Sequence, residues 1–92
     1  CRGAEVIYAK SWGSRHYYGR WEEEQAVRER YRDWIVDEAL MRATQRGYFM
    51  HCLPVRRNVV VTDAVLDSER SLVIQQAENR LHVQKAVLSM LL

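Results

Sequence analysis

The chain has 92 residues, 48% of them hydrophobic and 28% charged, and a formal net charge of +2. That length fits one small domain with a modest core, and that composition does not fit a disordered chain. So small a charge implies neither nucleic acid nor an anionic membrane as a partner. No apolar run approaches the roughly 20 residues that cross a bilayer, and no signal-peptide pattern opens the chain. The two cysteines, Cys1 and Cys52, form neither a disulfide framework nor a zinc cluster, so a reducing, cytoplasmic setting is expected. The opening Cys1-Arg2-Gly3-Ala4 lacks a methionine and runs straight into a strand-like segment, which suggests a piece of a longer protein.

Glu5-Val6-Ile7-Tyr8-Ala9 is β-branched and aromatic and reads as a buried strand of a mostly parallel sheet. It ends in the polar cluster Lys10-Ser11-Trp12-Gly13. The loop from Ser14 to Arg20 is rich in rings and donors, and Gly13 and Gly19 bracket it as hinges bracket a lid. Trp21 to about Arg32 reads as a charged surface helix, with Glu22, Glu23 and Glu24 at its positive end and Arg28, Arg30 and Arg32 at its negative end. Asp33 to Val36 is an extended link. Asp37 caps a second helix from Glu38 to about Gln45, with Gly47 just past its end. Tyr48 to Cys52 is the second strand, and Thr62 caps a short helix over Asp63–Leu66. Leu72-Val73-Ile74 reads as a third, very short strand, and the last helix begins near Gln76. On it Val83, Ala86, Val87, Met90 and Leu91 form one stripe committed to packing. Strands alternating with helices predict an α/β layered sheet with right-handed crossovers.

The stretch Phe49–Asn58 carries the most chemistry, because an apolar strand ends there in a thiol, a proline and two arginines. Strand tips of that kind are where open α/β sheets place ligands. His51 and Cys52 are adjacent on a strand and point to opposite faces, so they do not make a cysteine–histidine dyad. A lone strand cysteine also reads as a small buried hydrophobe. His16, His51 and His82 lack metal-ligand spacing, so no metal is expected. Arg56 and Arg57 read either as bidentate anion binders or as solvated loop charges, and Lys10 at the first strand's tip has the same two readings. Arg80, placed at the start of the last helix, either strengthens an anion site there or pairs with Glu78. Arg15 to Trp21 could stack on nucleic acid, a reading that the near-neutral charge disfavours.

His51-Cys52-Leu53-Pro54 followed by Val55-Arg56-Arg57, then Thr62 to Asp67, then Glu78-Asn79-Arg80, closely resembles the C-terminal end of the aspartate/ornithine carbamoyltransferase family. The resemblance covers about half the chain continuously and extends weakly to the first strand. It implies a three-layer, Rossmann-like parallel-sheet domain, of which residues 1–92 are the C-terminal part of the ornithine/aspartate-binding domain, with about three strands and a long C-terminal helix. It also implies a reaction without metal, cofactor or covalent enzyme intermediate, in which an amine attacks carbamoyl phosphate and phosphate leaves. Catalysis is then mostly positioning and stabilisation of charge. By the same resemblance Cys52 and the Leu53 carbonyl contact the attacking amine and the carbamoyl group, the Leu53–Pro54 peptide is cis, and Arg80 contacts carbamoyl phosphate. The family is trimeric, its last helix packs on the N-terminal domain, and its phosphate-binding Ser-x-Arg-Thr-Arg motif is absent from these residues. This chain alone is therefore expected to be inactive.

One departure bears on the substrate. Ornithine enzymes carry an acid and a Ser-Met-Gly loop where this chain has Lys10-Ser11-Trp12-Gly13. A cation there repels a free α-ammonium and suits an acylated α-amine, leaving the α-carboxylate for Lys10 and Arg56. This is the pattern of the N-acetylornithine and N-succinylornithine enzymes. Acetylornithine is the expected substrate, with succinylornithine, plain ornithine or a silent fragment as alternatives; some acetyl-type members carry a lysine near Val60.

Overall fold

Val6–Tyr8 (β1) and Tyr48–Met50 (β2) pair in parallel, with Ile7 opposite Phe49, in a computed structural model that describes all 92 residues. Between them lie Trp21–Arg30 (α1) and Glu38–Arg42 (α2), and after them Asp63–Leu66 (α3) and Val73–Leu91 (α4). The architecture is α/β, a two-stranded parallel sheet with helices and a long C-terminal helix. Val36, Phe49, Val61, Val65, Leu66 and Val73 make the core, with Phe49 wholly buried at its centre.

Both predicted caps form. Asp37 accepts the Leu40 N–H at 2.8 Å, and Thr62 accepts the Val65 N–H at 3.4 Å. The link before Asp37 docks by a single parallel bridge, Val36 to Val61. Helix α2 ends at Arg42 rather than near Gln45, because the Thr44 hydroxyl donates to the Met41 carbonyl and accepts the Gly47 N–H, tying the chain into a turn.

Two expectations are corrected. Strand β1 is not buried: Val6 and Tyr8 are about half exposed, and only Ile7 packs on the core, because β1 is the open edge of this sheet. There is no third strand at 72–74. Pairing there is one parallel bridge, Phe49 to Ser71, after which Val73 opens α4 three residues earlier than expected. Helical geometry puts Val73 and Gln76 on one face against β2, which an extended segment would not do. Tertiary packing thus overrides the β-propensity of Leu-Val-Ile. The apolar stripe of α4 is uncovered within these residues, in keeping with a helix whose packing surface in the family is the N-terminal domain: every residue from Leu81 to Leu92 is exposed.

Candidate functional site

Parallel pairing of β1 with β2 brings their C-terminal tips together. Lys10 follows β1 and Cys52 follows β2, and the Lys10 ammonium sits 3.8 Å from the Cys52 sulfur across 42 residues of sequence. Cys52 is half-buried, and its thiol meets Lys10 rather than His51, so no cysteine–histidine dyad forms. Beyond Cys52 the Leu53–Pro54 peptide is cis, and Leu53 has φ 52°. A left-handed backbone costs a branched L-residue about 1–2 kcal/mol, so the surrounding contacts must hold it there.

Those contacts lie behind the strand. His51 is 1% exposed, and its Nδ1 accepts the Leu53 N–H at 3.0 Å. The His51 N–H donates to the Gln76 Oε1 at 3.0 Å, and the Gln76 Nε2 donates to the Tyr8 hydroxyl at 2.9 Å. Burial first, and then the nearby Lys10 charge, push the His51 imidazole below its ordinary value of 6.5. It is neutral at physiological pH.

The two arginines after Pro54 separate. Arg57 donates to Asp63 at 2.8 Å and to both oxygens of Asp67 at 2.8 and 2.9 Å, while Asn58 also holds Asp63. These bonds raise the Arg57 pKa further above its already high value and hold both carboxyls below their usual range. Arg57 is a loop fastener. Arg56 has no carboxylate partner: its guanidinium lies 5.6 Å from the Trp21 ring centroid, and its Nη1 is buried without a hydrogen bond. It borders a hollow of about 500 Å³ with Ser11, Trp12, Ser14, Trp21 and Glu24. A slightly larger hollow, about 590 Å³, lies against Trp12, Trp21, Arg28 and Tyr31, and neither hollow is lined by Lys10 or Cys52.

Arg80 is not at a helix start. Helix α4 begins at Val73, so Arg80 lies two turns in, away from the orphan N–H groups. It is exposed and makes no ion pair; Glu78 pairs with His82 instead. It lies one turn past Gln76 and shares with it the face that meets β2. The structure thus joins Lys10, Cys52 and Leu53 at one tip, puts Arg56 three residues on, and leaves Arg80 exposed on α4 without a side-chain hydrogen bond. The residues that sequence reasoning passed over are Trp21, Glu24 and Gln76. Glu24 is 6% exposed, with Arg28 at 3.7 Å, and its carboxylate fills the space beside Gly13. Only Trp21 gave a signal, as an aromatic ring at the end of the donor-rich loop.

Residues 1–91 match the aspartate/ornithine carbamoyltransferase family in its Asp/Orn binding domain. The chain is 55% identical over 89 residues to the N-acetylornithine carbamoyltransferase of Xanthomonas campestris pv. campestris, covering 97% of this chain and 26% of that protein. It is 44% identical over 88 residues to the chloroplastic ornithine carbamoyltransferase of Pisum sativum, covering 95% of this chain and 23% of that protein. A crystal structure of acetylornithine transcarbamylase complexed with acetylcitrulline superposes with a TM-score of 0.83 at 54% identity, over 99% of this chain and 27% of the other. The chain spans about a quarter of the length of these relatives. By sequence and by fold, the chain belongs to the aspartate/ornithine carbamoyltransferase family.

Proposed function

We propose that the protein of which this chain is part transfers the carbamoyl group of carbamoyl phosphate to the side-chain amine of N-acetyl-L-ornithine. The C–N bond forms as the C–O bond to phosphate breaks, and the proton lost by the amine ends on the departing phosphate. Lys10 carries the reading. It sits against Cys52 and forms no salt bridge, so this tip offers a cation where a free α-ammonium would need an anion. Arg56, with an unpaired guanidinium nitrogen, is the second cation for the α-carboxylate. Cys52 and the Leu53 carbonyl meet the amine; a carbonyl accepting one amine N–H aims the nitrogen lone pair at the carbamoyl carbon. Arg80 reaches the phosphate side from α4. The relatives named for acetylornithine support the acyl substrate. A homotrimer acting in arginine biosynthesis belongs to the same reading.

The test is a side-by-side assay of the full-length enzyme with carbamoyl phosphate and ornithine, N-acetylornithine or N-succinylornithine. Acetylornithine is expected to give the highest kcat/KM. Faster carbamoylation of free ornithine would overturn the argument from Lys10.

A further inference from the structure

We propose that His51, seated by Gln76, is a positioning residue that holds Cys52 and the Leu53 carbonyl in line for carbamoyl transfer. The inference rests on the function just given, since it needs Cys52 and Leu53 to touch the reacting groups.

The bond from the Leu53 N–H to the His51 Nδ1, 3.0 Å long, joins a side chain to the backbone two residues on. The ring it closes contains Cys52 and resembles the turns that aspartate and asparagine make. Closing it fixes the ψ of His51 and the φ and ψ of Cys52, hence the direction of the thiol and the plane of the peptide that leads into Leu53 and its carbonyl. Leu53 sits at φ 52°, where an L-residue does not stay unaided. His51 is fixed in turn. Its own N–H is held by the Gln76 Oε1, and the Gln76 amide is oriented from its other end by the Tyr8 hydroxyl. One hydrogen-bonded path thus joins β1, α4 and the turn that carries the two reacting-group contacts. Nδ1 can accept only when the imidazole is neutral and its proton is on Nε2. Buried behind the strand, His51 takes no part in the pocket itself.

Asparagine places an oxygen near the position of Nδ1, and leucine fills the space without an acceptor. In the full-length enzyme, His51→Leu is expected to lower kcat about tenfold or more while KM for both substrates moves little, and His51→Asn to recover most of that loss. Melting temperatures are expected to rank the other way, because leucine suits a buried site better. If activity simply followed melting temperature, His51 would be a packing residue and the proposal would fall. Should His51→Leu not fold, Gln76→Leu and Gln76→Glu repeat the comparison, since glutamate keeps the acceptor; unchanged kcat in Gln76→Leu overturns the path. Imidazole nitrogen spectra of the wild-type enzyme judge the clamp without activity. An Nε2–H tautomer at neutral pH supports it, and a protonated Nδ1 overturns it. If the wild-type enzyme carbamoylated none of the three ornithine substrates, the functional reading would fail, and the spectra would still decide the geometry.

Discussion

The two faces of the chain at the end of β2 are built to opposite standards. Behind it, the backbone is tied: the Phe49 N–H donates to the Arg70 carbonyl at 2.8 Å, the Phe49 carbonyl accepts the Leu72 N–H at 2.9 Å, and Gln76 holds the N–H of His51. On that ring Nε2 alone is buried without a partner. In front, Lys10 has a sulfur 3.8 Å away and no carboxylate, and Arg56 keeps a buried nitrogen without a partner. Lys10 is exposed, but a half-buried guanidinium without a counter-charge, as at Arg56, is a cost to folding. The difference separates residues already engaged from residues with unspent donors, and alternation along β2 puts Phe49 and His51 on one side and Cys52 on the other.

The largest effect should come from breaking the back. Phe49→Ala removes a ring that is 0% exposed and is expected to cost about 3–5 kcal/mol in denaturant unfolding. A loss below about 1 kcal/mol would mean that the core lies elsewhere. The front should behave the other way. Arg56→Met removes an unpaired buried nitrogen and still packs on Trp21, so the melting temperature should hold or rise. Binding of the substrate carboxylate should weaken by about 1.5–3 kcal/mol, which is roughly 10–100-fold in kcat/KM. Arg57→Met, one residue on, loses bonds to two exposed aspartates and should change kcat/KM less than Arg56→Met does. A larger loss at Arg57 would erase the distinction between the two arginines.

Much of this was readable from the residues. The caps at Asp37 and Thr62 were legible because a side-chain oxygen three residues ahead of an amide is a local signal. The opposite facing of His51 and Cys52 followed from the strand period alone. Helix α4's start was not legible. Leu72-Val73-Ile74 looks extended by propensity, and only the contact of Val73 with the core and the reach of Gln76 to His51 make it helical. That one shift moved Arg80 from a helix terminus to its third turn. Nor could sequence divide Arg56 from Arg57, because the aspartates that claim Arg57 stand six and ten residues away. The clamp on Leu53 was hidden for a similar reason: its members, Tyr8, His51 and Gln76, come from three distant segments.

The smallest effect tests the back against the surface by pH. Burial and Lys10 lower the His51 pKa in the folded chain, while the unfolded chain titrates near 6.5. Below that value the unfolded state takes up the proton first. The stability held by the neutral ring is therefore complete above about 6.5 and falls as pH drops through the folded pKa. Tyr8 and Gln76 close the clamp from β1 and α4 by hydrogen bonds, and burial, followed by the Lys10 charge, sets this slope. Asp63 and Asp67 act at a lower pH. Their carboxyls are depressed by Arg57, so their contribution is present above about 3.8 and is lost only as pH falls through their folded values. Both are exposed, so that part should also fade with salt. Melting curves from neutral pH down to about 4 should then show a decline that His51→Asn flattens and Asp67→Asn leaves in place. A decline in that window removed by Asp67→Asn would place the acid sensitivity at the surface fastener instead of behind the site.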